Sequence, residues 1–458
     1  ALGREDVSVR DVRVTVLMQP ERKAQAERHY EATCAALFFY GLWYGEYPYE
    51  HITVVDPAWG ASAAGGMEYP TIFTAGTSLY TFPKMHRPES VTVHEAGHQF
   101  WYGIVGNNEY EAAWLDEGLN SYTDSEVLKT HWGDQHAATY YAGLYLDGTR
   151  PFPASSSGLA RAFEMSRIPI GFGKVLRPLR SSGFLNLWRD LPCLTLVPSH
   201  TDPRWGDRRG YLSSPDTDPL TTFAFQHADR GSYRTNSYPR TAVTLRTLKG
   251  IVGKDAFLRG MRYFAEEYRF RHPYPEDFFR SFQEGCGIDL EWYFDSSFRG
   301  SQTVDWSVDV SQRQAPDAVG FRFDEEQGDF VRFEEAPKEE DAQEGEANEG
   351  DADAGGEQKK AEKPALVNVL VKRSGELRIP LLIRWTFEDG EVGEHLWTRA
   401  EQSMSAWWRM RVESGRELRS VVLDPERVLY LDRKMSDNQW YSEPERLAPW
   451  RWAERVLT

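Results

Sequence analysis

His94 and His98 stand four residues apart in the run His94-Glu95-Ala96-Gly97-His98, and Glu117 follows with eighteen residues between it and His98. No other feature constrains the chain as tightly. Residues i and i+4 share one face of a helix, so both imidazoles reach one point if 94–98 is helical. Glu117 joins them only if the chain turns back, and Gly106-Asn107-Asn108 supplies a break where it can. Two histidines and one carboxylate form the donor set of a catalytic zinc site that keeps its fourth position open. The spacing therefore predicts one zinc ion held by His94, His98 and Glu117. Glu95 lies ~100° round the helix from His94, which puts its carboxylate beside a water rather than on the metal. There it can take a proton and return it. Phe100, Trp101, Trp114 and Leu115 flank the motifs and make a dry surround, in which electrostatic contacts strengthen. Asp124, two turns beyond Glu117 on the same face, is either an outer partner for one histidine or a solvated surface acid. Asp116 neighbours Glu117 but is expected to point elsewhere.

Around this core the chain reads as several segments. Residues 7–17 alternate between apolar and polar, as a half-buried strand does. A helix is expected over 21–44, a turn into a strand over 45–55, and a short glycine-bounded strand over 64–76. Two helices, 88–104 and 110–130, carry the motifs. Residues 150–220 are rich in Pro, Ser, Gly and Arg and read as irregular. Helical spacing returns at 239–252, 255–268, 275–285 and 289–298. From about residue 303 short alternating runs separated by turns indicate an antiparallel sandwich. Residues 334–363 interrupt it with twelve acidic and four basic residues, a net of −8. They lack aromatics and read as a solvated, disordered loop.

A length of 458 residues suggests two or three domains, and 40% apolar residues suffice for sizeable cores. The formal charge is −17 with no basic stripe, which argues against nucleic acid as a partner. Cys34, Cys193 and Cys286 are far apart and give neither a disulfide framework nor a cysteine metal site. No run reaches the ~18 apolar residues of a membrane span. The chain opens at Ala1 without a signal peptide or a methionine, which is compatible with a removed upstream segment.

HEAGHQFW, WLDEGLNSY at its spacing, and GGMEYP upstream together resemble the aminopeptidase N-like zinc metallopeptidases, which also include leukotriene hydrolase. The resemblance looks strongest to bacterial members; it runs to about residue 300 and continues more weakly beyond. It implies an α+β chain: a thermolysin-like, mainly helical catalytic domain (19–300) followed by a β-sandwich domain (301–435) containing the acidic loop. Residues 1–18 would be a remnant strand of an N-terminal β-domain, and 436–458 a tail able to form a helix. In the family that missing domain supplies a second residue, Gln or Glu, that binds the substrate amine. The glycine-methionine-glutamate motif on an edge strand corresponds to Gly65, Gly66, Met67 and Glu68. The resemblance makes Glu68 the anchor for the free amino terminus of a peptide substrate, and the glycine backbone its pairing strand. Tyr69 departs from the asparagine usual at that place. SYPRTAVTLRTL resembles the stretch that provides a tyrosine for the oxyanion, which implicates Tyr238, with Tyr233 as the rival. Residues 150–220 depart from the family's pattern. The activity implied is removal of N-terminal residues. Alternatives are an endopeptidase on the same zinc core, or an inactive peptidase-like scaffold for a protein partner. Bacterial cytoplasm, envelope and secretion all stay open, as does the oligomeric state.

Overall fold

A computed structural model describes residues 11–58, 60–61, 64–78, 81–136, 138–141, 144–147, 193–195, 200–314, 318–335, 365–412 and 416–443. The described residues divide into two compact units. One holds those up to Thr303 together with Arg427–Arg433. The other holds Val304–Glu426 and the residues from Lys434 onward.

The first unit opens with strand β1 (Arg13–Leu17), helix α1 (Ala26–Tyr44) and strands β2 (His51–Val55), β3 (Gly66–Met67) and β4 (Ile72–Ala75). The sheet order is β1-β2-β4-β3; β1, β2 and β4 run parallel, and β3 is an antiparallel edge. Residues 13–17, expected as the remnant of a separate domain, are thus built into this unit's own sheet. The single strand expected over 64–76 is two strands, because the chain reverses at 68–71. Alternate residues Ile52, Val54, Phe73 and Ala75 are fully buried, as one apolar face of a strand requires. Helix α1 packs on β1 and on α2 (Arg87–Gly97), and α2 packs on β4. α1 ends at Gly45, whose φ of 122° few other residues adopt.

The helix expected over 88–104 stops at Gly97. Beyond it the backbone turns tightly, Tyr102 takes φ 122°, Trp101 pairs with Val105, and residues 104–106 pair with the chain at 270–271. Gly106 N–H donates to Arg271 O (3.1 Å) and Phe270 N–H to Ile104 O (2.7 Å). A single helical turn, α3 (Glu109–Ala112), capped by the Asn108 side chain, leads into α4 (Glu117–Trp132). Short strands β5 (Gln135–His136), β6 (Ala138–Tyr141), β7 (Leu144–Asp147), β8 (Cys193–Thr195) and β9 (His200–Thr201) follow. Most of 150–200 lies outside the described residues; Arg204–Tyr211, expected to be irregular, is helix α5. Helices α6 (Arg230–Thr235), α7 (Thr241–Val252), α8 (Lys254–Glu267), α9 (Pro275–Cys286) and α10 (Glu291–Ser297) complete the unit. Trp114, Phe278, Phe279, Phe294 and Phe298 pack ring on ring among them, with centroids 4.6–6.4 Å apart. Residues 427–433 return here, where Leu431 O accepts from Tyr211 Oη (3.0 Å).

The second unit contains β10 (Asp305–Gln314), β11 (Ala318–Asp324), β12 (Asp329–Glu335), β13 (Ala365–Ser374), β14 (Leu381–Phe387), β15 (Val392–Trp397), helix α11 (Arg399–Met404), β16 (Trp407–Val412), β17 (Leu418–Leu423) and β18 (Gln439–Tyr441). All pairings are antiparallel: β10-β13-β16, β15-β14-β17-β18 and the hairpin β11-β12. Val367, Val369, Val371, Leu381, Ile383, Val421 and Leu423 are buried at alternate positions. The acidic run 334–363 lies outside the described residues except for Glu334 and Glu335, which close β12. The tail, expected as able to form a helix, begins with a single 3-10 turn (Met435–Asp437) and β18, and lies outside the described residues from 444. The fold class is α+β. Among the described residues no helix is long and apolar enough to cross a membrane.

Gly97 marks how closely α2 sits on α1 and α4. A Cβ there would overlap Asn120 Oδ1 and Tyr40 Oη. Gly97→Ala is therefore expected to destabilise the fold by about 1–3 kcal/mol, as overpacking does. Thermal unfolding of both proteins without added metal measures it; an unchanged melting temperature would contradict this packing.

Candidate metal centre

Helix α2 ends just where it needs to for the two histidines to converge. His94 lies in its last turn, and His98 is the first residue beyond it. Their Nε2 atoms are 3.3 Å apart. Glu117 opens α4, which packs on α2, and its Oε2 lies 3.4 Å from His94 Nε2 and 3.2 Å from His98 Nε2. Asn120 holds the two helices together: its Nδ2 donates to His94 O (2.7 Å), and its Oδ1 accepts from Tyr40 Oη (2.6 Å).

The far nitrogens of both rings are engaged. His94 Nδ1 meets Asp124 Oδ2 at 2.7 Å. His98 Nδ1 meets Asp116 Oδ1 at 2.5 Å and the Trp101 carbonyl at 3.1 Å. Asp116 was expected to point elsewhere; instead it turns to the second histidine. It precedes the first turn of α4, so its side chain diverges from that of Glu117 and reaches the other ring. A carboxylate at Nδ1 keeps the ring proton there and leaves the Nε2 lone pair free. With neutral rings, three acceptor atoms then face one point. Glu117 Oε2 is buried and has no hydrogen-bond donor. Burial alone would raise the Glu117 pKa. Without a metal, however, the two imidazoles hold protons, raised in pKa despite their burial by Asp124, Asp116 and Glu117, and their closeness and charge keep the Glu117 carboxyl well below its usual range. An ionised carboxylate and two imidazole nitrogens whose protons a cation would displace fit a divalent metal of the zinc type.

Glu95 is buried beside this point and is not one of the converging groups. Burial pushes its pKa up to about 7; His94 and His98 pull it down, and Glu68 and Glu117 push it further up. Its carboxylate packs directly on the backbone of Gly66 in edge strand β3, where any Cβ would overlap Glu95 Oε1. Gly65 O accepts from Gly76 N–H at 2.7 Å, and Met67 pairs with Thr74, so the motif runs along this edge. Glu68, half-buried, comes next. Its carboxylate clusters with those of Glu109 and Asp116, with ligand atoms within 4.8 Å of one another. Glu109 was not anticipated from the sequence; it lies in the single turn α3. Glu109 is solvent-exposed; partial desolvation by its neighbours and the charges of Asp116, Glu68 and Glu117 shift its pKa upward.

Tyr238 sits in a π-helical turn, Asn236–Arg240, that contains Pro239. Its hydroxyl donates to Glu117 Oε1, and its ring stacks 6.2 Å from that of His94. Burial and the Glu117 charge raise the phenol pKa far above its usual value. Tyr233 turns its ring edge-on to His227 at 5.8 Å.

The chain shares its fold with a solved structure of an aminopeptidase. Among solved structures, the crystal structure of Legionella pneumophila aminopeptidase A in complex with aspartic acid superposes on the chain with a TM-score of 0.50 at 12% identity. The match covers 92% of this chain and 36% of that one, so the chain spans little more than a third of that protein's length. No family model matches the chain, and no curated protein matches it.

Loss of an outer carboxylate typically weakens metal binding by ~10–100-fold. Asp116→Asn and Asp124→Asn are each expected to do so, in a zinc titration against a competing chelator. An unaltered affinity in both variants would show that these acids do not orient the histidines.

Proposed function

We propose that the chain is a zinc-dependent aminopeptidase with a thermolysin-like arrangement of its site. The observation that carries this is the convergence of His94 Nε2, His98 Nε2 and Glu117 Oε2 next to Glu95, with edge strand β3 alongside. Zinc held there supplies Lewis acidity at a peptide carbonyl and water-binding at neutral pH. The remaining work belongs to the chain. Glu95 takes a proton from the attacking water and delivers it to the departing amine. Its raised proton affinity suits that exchange near neutrality. Tyr238 releases Glu117 Oε1 and turns its O–H to the developing oxyanion. The backbone of Gly65 and Gly66 offers a strand for the substrate to pair with.

Selection of a free amino terminus falls to Glu68. The Glu68, Glu109 and Asp116 carboxylates have ligand atoms within 4.8 Å of one another; His98 answers Asp116, and a further cation beside Glu68 and Glu109 would relieve their mutual repulsion. A substrate ammonium beside Glu68 and Glu109 supplies one, and the acetylated end of a blocked peptide does not. Glu109 thus offers from α3 a second acid for the amine.

A peptide-library digest with free and acetylated termini tests this, run with wild type beside Glu95→Gln and with zinc measured on both. Zinc is expected to stay bound in Glu95→Gln while turnover falls by about 10²–10⁴-fold. Equal activity in the two proteins would remove the mechanism. Blocked peptides cut internally would instead support an endopeptidase.

Glu109→Gln is expected to raise KM for free peptides roughly tenfold with kcat little changed, as loss of one charge-assisted contact does. A constant KM would exclude Glu109 from the amine subsite. Gly66→Ala is expected to leave the melting temperature near wild type but depress kcat, because the flexible end of Glu95 is what must move.

A further inference from the structure

The residue that follows His98 has no role in the chemistry described above, yet its side chain is buried and committed. Gln99 is 1% exposed. Its Oε1 accepts from Thr71 N–H at 2.7 Å, and its Nε2 donates to Tyr69 O at 3.1 Å. Both partners lie in the turn that follows Glu68. The amide therefore spans that turn from the end of the metal-binding helix.

Little else holds the turn. β3 is two residues long and pairs with β4 only at Gly66↔Ala75 and Met67↔Thr74. Within the turn, Ile72 N–H donates to Tyr69 O at 3.2 Å, and from β2 Thr53 N–H donates to Thr71 O at 2.9 Å. Thr71 itself has φ 62°, a left-handed conformation that a β-branched residue adopts at a cost. A strained turn persists only where its surroundings over-determine it. The Gln99 amide meets that need with one donor and one acceptor, in a place where an unpaired amide would be costly.

We infer that Gln99 is a positioning residue for the amine subsite, fixing the distance between Glu68 and the metal ligands. The inference rests on Glu68 receiving the substrate ammonium. An aminopeptidase must hold the first peptide bond over the metal while the amine is captured, so the spacing of the two sites sets the register of cleavage. Gln99 is bonded directly to the backbone of one site and joined through one peptide bond to a ligand of the other.

The test uses Gln99→Met, which keeps the shape and removes both hydrogen bonds. KM and kcat are measured on zinc-loaded protein with a free and an acetylated peptide of one sequence. Zinc content is expected to stay stoichiometric, and the preference for the free peptide to fall about tenfold, mainly through KM. Gln99→Met combined with Thr71→Gly, which relieves the left-handed strain, is expected to recover part of that preference. Recovery of this kind is not expected from a purely structural role. Where Gln99→Met does not fold, Gln99→Glu is measured in its place, with and without Thr71→Gly. It keeps the acceptor for Thr71 N–H and loses the donor to Tyr69 O.

The outcomes separate the two ideas. Undiminished preference in folded Gln99 variants, with Glu68→Gln abolishing it, overturns the role of Gln99 and leaves the Glu68 reading standing. A wild type that does not distinguish free from acetylated peptides overturns both. Loss of zinc from a folded Gln99 variant overturns the inference too, because it would place Gln99 in support of the metal alone.

Discussion

Three lone pairs aimed at one buried point are an unfavourable thing for a chain to build, and most of the first unit serves to hold them there. His94 Nε2, His98 Nε2 and Glu117 Oε2 stand 3.2–3.4 Å apart. No donor reaches Glu117 Oε2. Left alone, rings and carboxylate would rotate apart. They stay because α2 and α4 pack tightly, because Asn120 ties one helix to the other, and because Asp124 and Asp116 grip the outer nitrogens. The absence of a Cβ at Gly97 is what lets Tyr40 and Asn120 come this close.

The same unit shows how the chain treats buried acids that it means to neutralise itself. Arg22 and Asp56 pair at 2.8 Å, both almost fully buried. Glu126 meets Arg246 and Lys249 at 3.3 and 2.6 Å, and Asp207 meets Arg246 at 3.1 Å. Around the candidate site the pattern changes. Glu109 there is exposed to solvent, unlike the acids above, and its charged neighbours are Asp116, Glu68, Glu117 and His98. An acid group supplied with a cation from its own chain is structural by preference. One left surrounded by other acids is poised for a cation from outside, and that contrast supports reading this corner as a place for metal and ammonium.

The motif made the convergence of His94 and His98 legible because a helix has one period, and a spacing of four residues puts both side chains on one face. The limits of the helices were less legible. Gly103 is a weak local signal against a helix through Phe100–Ile104, and beyond Gly97 the chain leaves α2 so that residues 104–106 pair with the backbone at 270–271, remote in sequence. The strand expected over 64–76 split in two for a similar reason: the turn at 68–71 is held by Gln99 and Thr53 from elsewhere in the chain. Asp116 was set aside because an immediate neighbour of a ligand points away from it. That is true, but away from Glu117 here means toward His98.

What the sequence by itself determined was the chemistry within helical reach: two imidazoles on one face, an acid set aside from them, and an apolar surround. Periodicity carries such information, since a helix or strand converts spacing into direction. What only the tertiary structure decided was which acids meet across elements. Glu109 beside Glu68, Asp116 on His98, Tyr238 on Glu117 and Gln99 on the turn after Glu68 all join segments whose approach depends on packing. Spacing along a chain gives no distance between two helices, and distance is what turns carboxylates into a site.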